Sequence, residues 1–591
     1  MNTGLRLGNI RKVVRREGSA GRVRFLAFCI VGGALLILSR LFFIQVMNHD
    51  KWERAATGQY VTNRALLSKR GEIFFQDHGG RYAVAVNRDD PFVFVVPRDI
   101  DEATVVGEAL SGILGIARED IVRKIERRDD PFEMVKKKIR QEEAERIQNL
   151  RMRGVSVGFE TNRYYPGGEL AAPLIGFVAG RSDGSLGVEG KYGLEAALDA
   201  SLQGKNGNLE EERDSAGRWI SLTDRVMSPA EDGDDYLLTI DRTVQFEAER
   251  ILRDSIERYA ADGGTIVVME PKTGNILAMA ILPQFDPNAF GEVEEYERFL
   301  NGATSLAYEP GSVMKPLTMA IGIEEKKVNP NTEFVDTGVV SEAGYHLKNA
   351  EGKIYGKSSM YRVLDESINT GVIFVERLVG NTMFREYLKN FGFGEKSDFG
   401  FPGDVSGNMR NMDDVRRNIN FFNIAFGQGM TATPLQLVRA YAALGNGGVL
   451  MKPRLVEKIT HGDGTEEVIP LESVRRVVSE ETALVMGEML RSVVVNGHGK
   501  RADVPGYLVG GKTGTAQVAK SGEKGYDEDL SIGSFVGYAP IGDPKFAIAV
   551  KFDNPRNIEW AESSAAPVFG DMMKFLLQYY RVEPTETVRS K

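Results

Sequence analysis

Cysteine is all but missing. The one thiol in 591 residues, Cys29, lies inside an apolar run, so the rest of the chain holds no disulfide and depends on packing for its stability. Histidine is scarce too. His49, His78, His346, His461 and His498 are scattered without metal-ligand spacing, so no metal site and no cofactor are expected. No internal repeat or low-complexity tract is present, which excludes solenoids and arrays. There is no excess of positive charge either. At a net charge of −9, general nucleic-acid binding is not expected. What remains is an ordinary globular composition, 42% hydrophobic and 27% charged, long enough for several domains.

The charge is uneven. Residues 1–24 carry Arg6, Arg11, Lys12, Arg15, Arg16, Arg22 and Arg24 against Glu17 alone, so the acidic excess lies in the remainder. A basic head before an apolar run is a membrane orientation signal. The run follows at 25–47, "FLAFCIVGGALLILSRLFFIQVM", long enough to cross a bilayer of roughly 30 Å. A cleaved signal peptide needs a shorter apolar core and a small-x-small cleavage site. "NHDKWERAA" offers no such pattern, so an uncleaved single-pass anchor is expected, with the N-terminus in the cytoplasm and the body exported. Arg40 either snorkels to the outer interface or meets a protein partner.

Residues 48–235 alternate strand-like runs such as "PFVFVVP" with charged helical stretches, and read as a non-catalytic recognition or scaffold module. An acidic linker at 231–235 marks a boundary. From 236 to 581, strands come first, a helical block dominates from 312 to about 445, strands return, and a helix closes the domain before a polar tail at 582–591. That order predicts an α+β domain with a mostly antiparallel sheet.

One stretch of this domain raises a chemical question. In "YEPGSVMKPLTMA" a proline follows a lysine inside an apolar helical segment. Proline is tolerated in the first helical turn, so the helix is expected to start near Ser312, with Lys315 one turn in on the same face. That suits a nucleophile and its base. Ser312-x-x-Lys315 is common by chance, but "ESINTG" adds Ser367 and Asn369, and "GGKTGTAQ" adds Lys512, Thr513, Gly514 and Thr515. Serine needs a base to take its proton, and Lys315 is the candidate, its pKa lowered by desolvation and by the Lys512 cation. Backbone N–H groups of Ser312 and Thr515 would form an oxyanion hole. Gly514 would let another backbone approach the strand. Lys512, Thr513 and Thr515 would hold a substrate carboxylate, Ser367 would relay a proton to the leaving amine, and Asn369 would bind a substrate amide.

S-x-x-K, S-x-N and K-T-G together resemble the motifs of penicillin-binding proteins and class A β-lactamases. "FGQGMTATPLQLVRAYAALGNGG", "GTIVVMEPKTGNILAMA" and "SFVGYAP" extend the likeness to the transpeptidase domain of class B penicillin-binding proteins, and "YGLEAALDASLQG" resembles their N-terminal pedestal (dimerisation-type) domain. "KRGEIFFQDHGG" resembles the pedestal signature Arg-Gly-x-Ile-x-Asp-Arg-Asn-Gly, except that Phe75 and Gln76 replace its Asp-Arg pair. The resemblance implies D,D-transpeptidation of stem peptides ending in D-Ala-D-Ala, trapping by β-lactams, and partnership with a SEDS-type glycosyltransferase and divisome membrane proteins. Glu309, the single anchor and a C-terminus without added repeats are similar to the septal, FtsI-like branch; the elongation branch is the alternative. A β-lactamase would not need the pedestal, a β-lactam sensor would need a signalling module, and an inactive divisome scaffold would not need the complete motif set.

Overall fold

The structure is a computed structural model that describes residues 19–52, 61–182, 187–212, 226–520, 525–558 and 560–585. Most of the basic head, Arg6 to Arg16, and residues 586–591 of the polar tail lie outside the described residues. The chain divides into two compact units: Met1–Ser68 with Lys205–Glu231, and Lys69–Gly204 with Asp232–Lys591.

In the first unit, helix α1 (Ser19–Phe42) runs on through a wider turn, Phe43–Met47. Gly21–Met47 has a mean hydropathy of 2.3 in its apolar window, none of it buried, and spans roughly 40 Å at the α-helical rise, enough to cross a membrane. The Arg40 guanidinium lies 5.8 Å from the Phe43 ring centre. Strands Val61–Leu66, Gly207–Glu212 and Val226–Ser228 form a small antiparallel sheet.

The second unit begins with β1 (Ile73–Asp77), which turns at Gly79 into the long β2 (Gly80–Val95). From Val86 onward β2 pairs with β3 (Val155–Tyr164), Val86 lying opposite Tyr164 and Val95 opposite Val155. β4 (Asp235–Asp241) lies parallel to β1 and antiparallel to Val456–Thr460, so one seven-stranded sheet takes strands from both ends of the unit's sequence. The departure from the pedestal signature falls at this seam. Phe75 is fully buried, and Gln76 donates from its side chain to Leu238 O and to the Glu457 carboxylate. Beside the sheet, Arg70 and Arg163 close on Glu195, whose side chain is 0% exposed.

β4 hands over to α2 (Arg242–Tyr259), capped by the Asp241 carboxylate, which accepts the N–H groups of Thr243 and Val244. A five-stranded antiparallel sheet follows, in the order β6 (Ile276–Leu282), β5 (Gly263–Met269), β9 (Phe546–Asp553), β8 (Tyr526–Ala539), β7 (Gly510–Ala519). Every residue of β5 is buried, because both faces of the sheet are covered. Ile266 and Val268 pack with α2 and the closing helix α7 (Ala565–Tyr579). Val267 and Met269 point the other way, into a helical block that includes α3 (Lys315–Glu324), α4 (Asn369–Val379), α5 (Pro434–Gly445) and α6 (Glu480–Val495). That alternation is the two-residue period of a strand, and burial on both faces is why these strands read as continuous apolar runs. The fold is the expected α+β arrangement. β7 stands at the sheet's edge, and α3 lies within the block with residues 315–322 all buried.

Candidate active site

The α-helix begins at Lys315, three residues later than expected from the sequence. Gly311–Met314 forms a tighter 3-10 turn, and Pro316 takes the first-turn position where its missing N–H costs nothing. Ser312 therefore sits on the tight turn and Lys315 opens α3. Glycines make this turn possible. Gly311 has φ +59°, its N–H donates to Gly427 O at 3.0 Å, and a Cβ on Gly427 would come within 2.0 Å of Gly311 O. A Cβ on Gly514 would lie 2.8 Å from Pro310 O and 2.7 Å from Ser534 Oγ. The Lys-Thr-Gly strand thus presses its backbone on the turn before Ser312.

Ser367 closes the third side. It follows the short helix Met360–Asp365 with φ +56°, a left-handed conformation that costs a serine about 1 kcal/mol or more. In that conformation it presents both its carbonyl and its hydroxyl to Lys315. Lys315 Nζ donates to Ser367 O and to Ser367 Oγ, the latter at 3.0 Å. Asn369 opens α4 and donates through Nδ2 to Lys348 O at 2.9 Å.

Ser312, Lys315, Ser367, Asn369, Thr513 and Thr515 line a single cavity of about 590 Å³, the size of a small-ligand site. Lys512 and Gly514 are not on its wall. Lys512 is 0% exposed and donates to Thr513 Oγ1 at 3.1 Å and to Thr513 O at 3.2 Å. Lys315 is 1% exposed. Burial, followed by the Lys512 cation, drives the Lys315 pKa well below its ordinary range. Burial also lowers Lys512, to about 7, against the opposing pull of Asp365 and Glu562. A lysine in that state can hold a free amine at neutral pH, which is what a serine hydroxyl needs from its base.

Glu309, singled out in the sequence for its likeness to the septal branch, accepts the Gly429 N–H at 2.9 Å and the Tyr526 hydroxyl at 3.0 Å, so the turn before Ser312 is tied to β8 and to the "FGQGM" loop. Sequence reasoning missed several groups at the cavity itself. Phe426, Gln428, His498, Trp560 and Glu562 add to the wall. They come from loops remote in sequence. "FGQGM" had been noted as a likeness and His498 as a stray histidine; the others carried no signal.

Comparison with known proteins settles the family. Residues 264–574 match the penicillin binding protein transpeptidase domain, and residues 65–238 the penicillin-binding protein dimerisation domain. The chain belongs to the class B penicillin-binding proteins. It is 32% identical over 569 residues to stage V sporulation protein D of Bacillus subtilis (strain 168), covering 95% of this chain and 86% of that one. It is 28% identical over 574 residues to peptidoglycan D,D-transpeptidase FtsI of Escherichia coli (strain K12), covering 95% and 92%. The crystal structure of penicillin binding protein 3 from Mycobacterium tuberculosis, complexed with aztreonam, matches with a TM-score of 0.68 at 26% identity, over 88% of this chain and 98% of that one. As a member of this family the chain is a serine-type peptidoglycan D,D-transpeptidase that binds β-lactams and peptidoglycan.

Proposed function

We propose that this transpeptidase works through an acyl-enzyme on Ser312 and serves septal wall synthesis. The observation that carries the first part is Lys315, buried without an ion-pair partner among the described residues and bonded to Ser367 in the cavity that Ser312 lines. Lys315 Nζ takes the Ser312 proton as Oγ attacks the carbonyl between the two terminal D-alanines. Ser312 and Thr515 N–H groups receive the oxyanion. The proton passes through Ser367 to the leaving D-alanine amine, and an ester to Ser312 remains. A neighbouring strand's amine then attacks that ester, its proton returns to Ser312, and the cross-link forms. The donor peptide adds along the free edge of β7, with its carboxylate held by Thr513, Thr515 and the nearby Lys512, and an amide met by Asn369. β-Lactams follow the first half of this path and stop at the ester.

The septal role rests on Glu309 in "YEPGS" and on the likeness to FtsI over most of both chains. The basic head keeps the N-terminus cytoplasmic, residues 25–47 anchor the chain in the inner membrane, and the anchored chain partners a SEDS-type glycosyltransferase and other membrane proteins of the division machinery. Mass mapping of protein labelled with a β-lactam should place the adduct on the peptide containing Ser312, and Ser312→Ala should not label. An adduct elsewhere defeats the mechanism. A fluorescent fusion at native expression should gather at the division plane. Lateral-wall placement would instead favour elongation, and a variant that supports division without labelling would favour a scaffold.

A further inference from the structure

His498 and Glu562 stand on the wall of the same cavity, on two different loops, and are bonded to each other. His498 Nδ1 lies 3.0 Å from Glu562 Oε2. His498 follows the C-terminus of α6, where exposed carbonyls favour a cation. Its turn is pressed on the segment that leads to Ser367: a Cβ on Gly497 would come within 2.4 Å of Asp365 O, and the His498 N–H donates to that oxygen at 3.3 Å. Glu562 belongs to the turn before α7. Its neighbour Ala561 donates its N–H to Thr515 Oγ1 at 3.3 Å, which brings this turn against the Thr513–Thr515 end of the cavity.

That end must accept a negatively charged group if the carboxylate reading above is right, and this inference rests on that reading. Yet Glu562 faces the cavity there, and a second carboxyl group, Asp365, lies off the wall with one oxygen bonded by Ser492 Oγ and the other buried without a partner. Against them stand Lys512 and His498. The charged and titratable groups of the other wall, His346, Lys348, Glu351, Lys353, Tyr355 and Glu366, come from residues 346–366, and the charged ones carry both signs. Glu562 without a counter-charge would repel an incoming carboxylate. We propose that His498 is a specificity-determining residue for donor peptides and β-lactams that end in a free carboxylate: its ring engages the Glu562 carboxylate, which would otherwise stand unpaired before the incoming one beside Thr513 and Thr515.

The test compares benzylpenicillin with its methyl ester, which keeps the β-lactam and removes the charge. Second-order acylation rates are measured on the full-length protein in detergent at about pH 7. His498→Gln should lower the rate for the acid about tenfold and leave the ester within about twofold. Glu562→Gln should raise the rate for the acid, and in the double variant the loss caused by His498→Gln should vanish. Equal losses for acid and ester in His498→Gln would make the pair a structural bridge only and overturn the proposal, as would a double variant that loses as much for the acid as His498→Gln alone. A wild type that neither compound acylates would overturn the Ser312 reading as well, which separates the two failures.

Discussion

Two groups of buried charge in this chain meet opposite fates. In the pedestal, Glu195 lies between two guanidiniums: Arg163 Nε donates to Oε1 at 2.6 Å, and Arg70 reaches Oε2 at 2.6 Å while also holding Asp199 at 2.7 Å. Tyr165 adds a hydroxyl at 3.3 Å. Burial pushes the Glu195 carboxyl up, but Arg163 and Arg70 together overcome this and hold it below the usual carboxylate range. In the transpeptidase, Lys315 and Lys512 are buried as deeply with no ion-pair partner among the described residues, and both are driven down. The same desolvation thus locks an ion where a counter-charge is supplied and makes a free base where it is withheld. The first arrangement holds segments more than 100 residues apart in sequence. The second leaves a reactive group that only the surrounding fold keeps in place.

Removing the proton chemistry while keeping the charge is the strongest way to break this comparison. Lys315→Arg should slow β-lactam acylation by about 10³-fold or more, because arginine does not deprotonate in proteins. Lys512→Arg should lose about 10- to 100-fold, since a fixed cation still attracts a carboxylate. Stopped-flow acylation separates the two, and equal losses would place the base elsewhere. The pedestal should respond in stability instead. Glu195→Ala leaves two buried arginines facing each other and should cost about 3–5 kcal/mol in denaturant unfolding. Protein that remains folded should acylate at the wild-type rate. A Glu195→Ala protein of unchanged stability would mean that the pair contributes no more than its desolvation cost.

The difference between these regions was only half legible in the sequence. Ser312, Lys315, Ser367 and Lys512 announce themselves because catalysis demands particular residues at short spacing, and the alternation of strands with a helical block gave the α+β class. Arg70 and Glu195 fall in stretches that resemble the pedestal domain, but nothing in the sequence showed that they meet each other or Arg163, since the three are far apart along the chain. The same holds for His498 and Glu562, which loops bring together. Backbone conformation was hidden as well. Nothing in "ESINTG" shows that Ser367 is left-handed, and Pro316 limited the start of α3 without showing that Gly311 would tighten the preceding turn. The parallel pairing of β4 with β1 joins residues about 160 apart, beyond the reach of any local pattern.

Glu376 offers the finest test, because it is buried without a partner and has no place in the proposed chemistry. It lies on α4, two turns beyond Asn369, with a side chain sealed from solvent and neither carboxyl oxygen hydrogen-bonded. Burial pushes its pKa up to about 8, although neighbouring Arg377 pulls the other way. The native state therefore keeps a proton that the unfolded chain releases near pH 4.5. Between those values the native state binds more protons, so stability is full at pH 4 and falls as pH rises toward 8. Glu376→Gln keeps the shape and cannot ionise. It should match the wild type to within about 1 kcal/mol near pH 5, exceed it by about 3–4 kcal/mol at pH 8, and leave acylation unchanged. Denaturant unfolding at the two pH values decides the matter. If the wild type and Glu376→Gln show the same pH slope, Glu376 ionises in the native state and burial alone does not neutralise a charge in this domain; the depressed lysines would then owe their state to each other more than to desolvation.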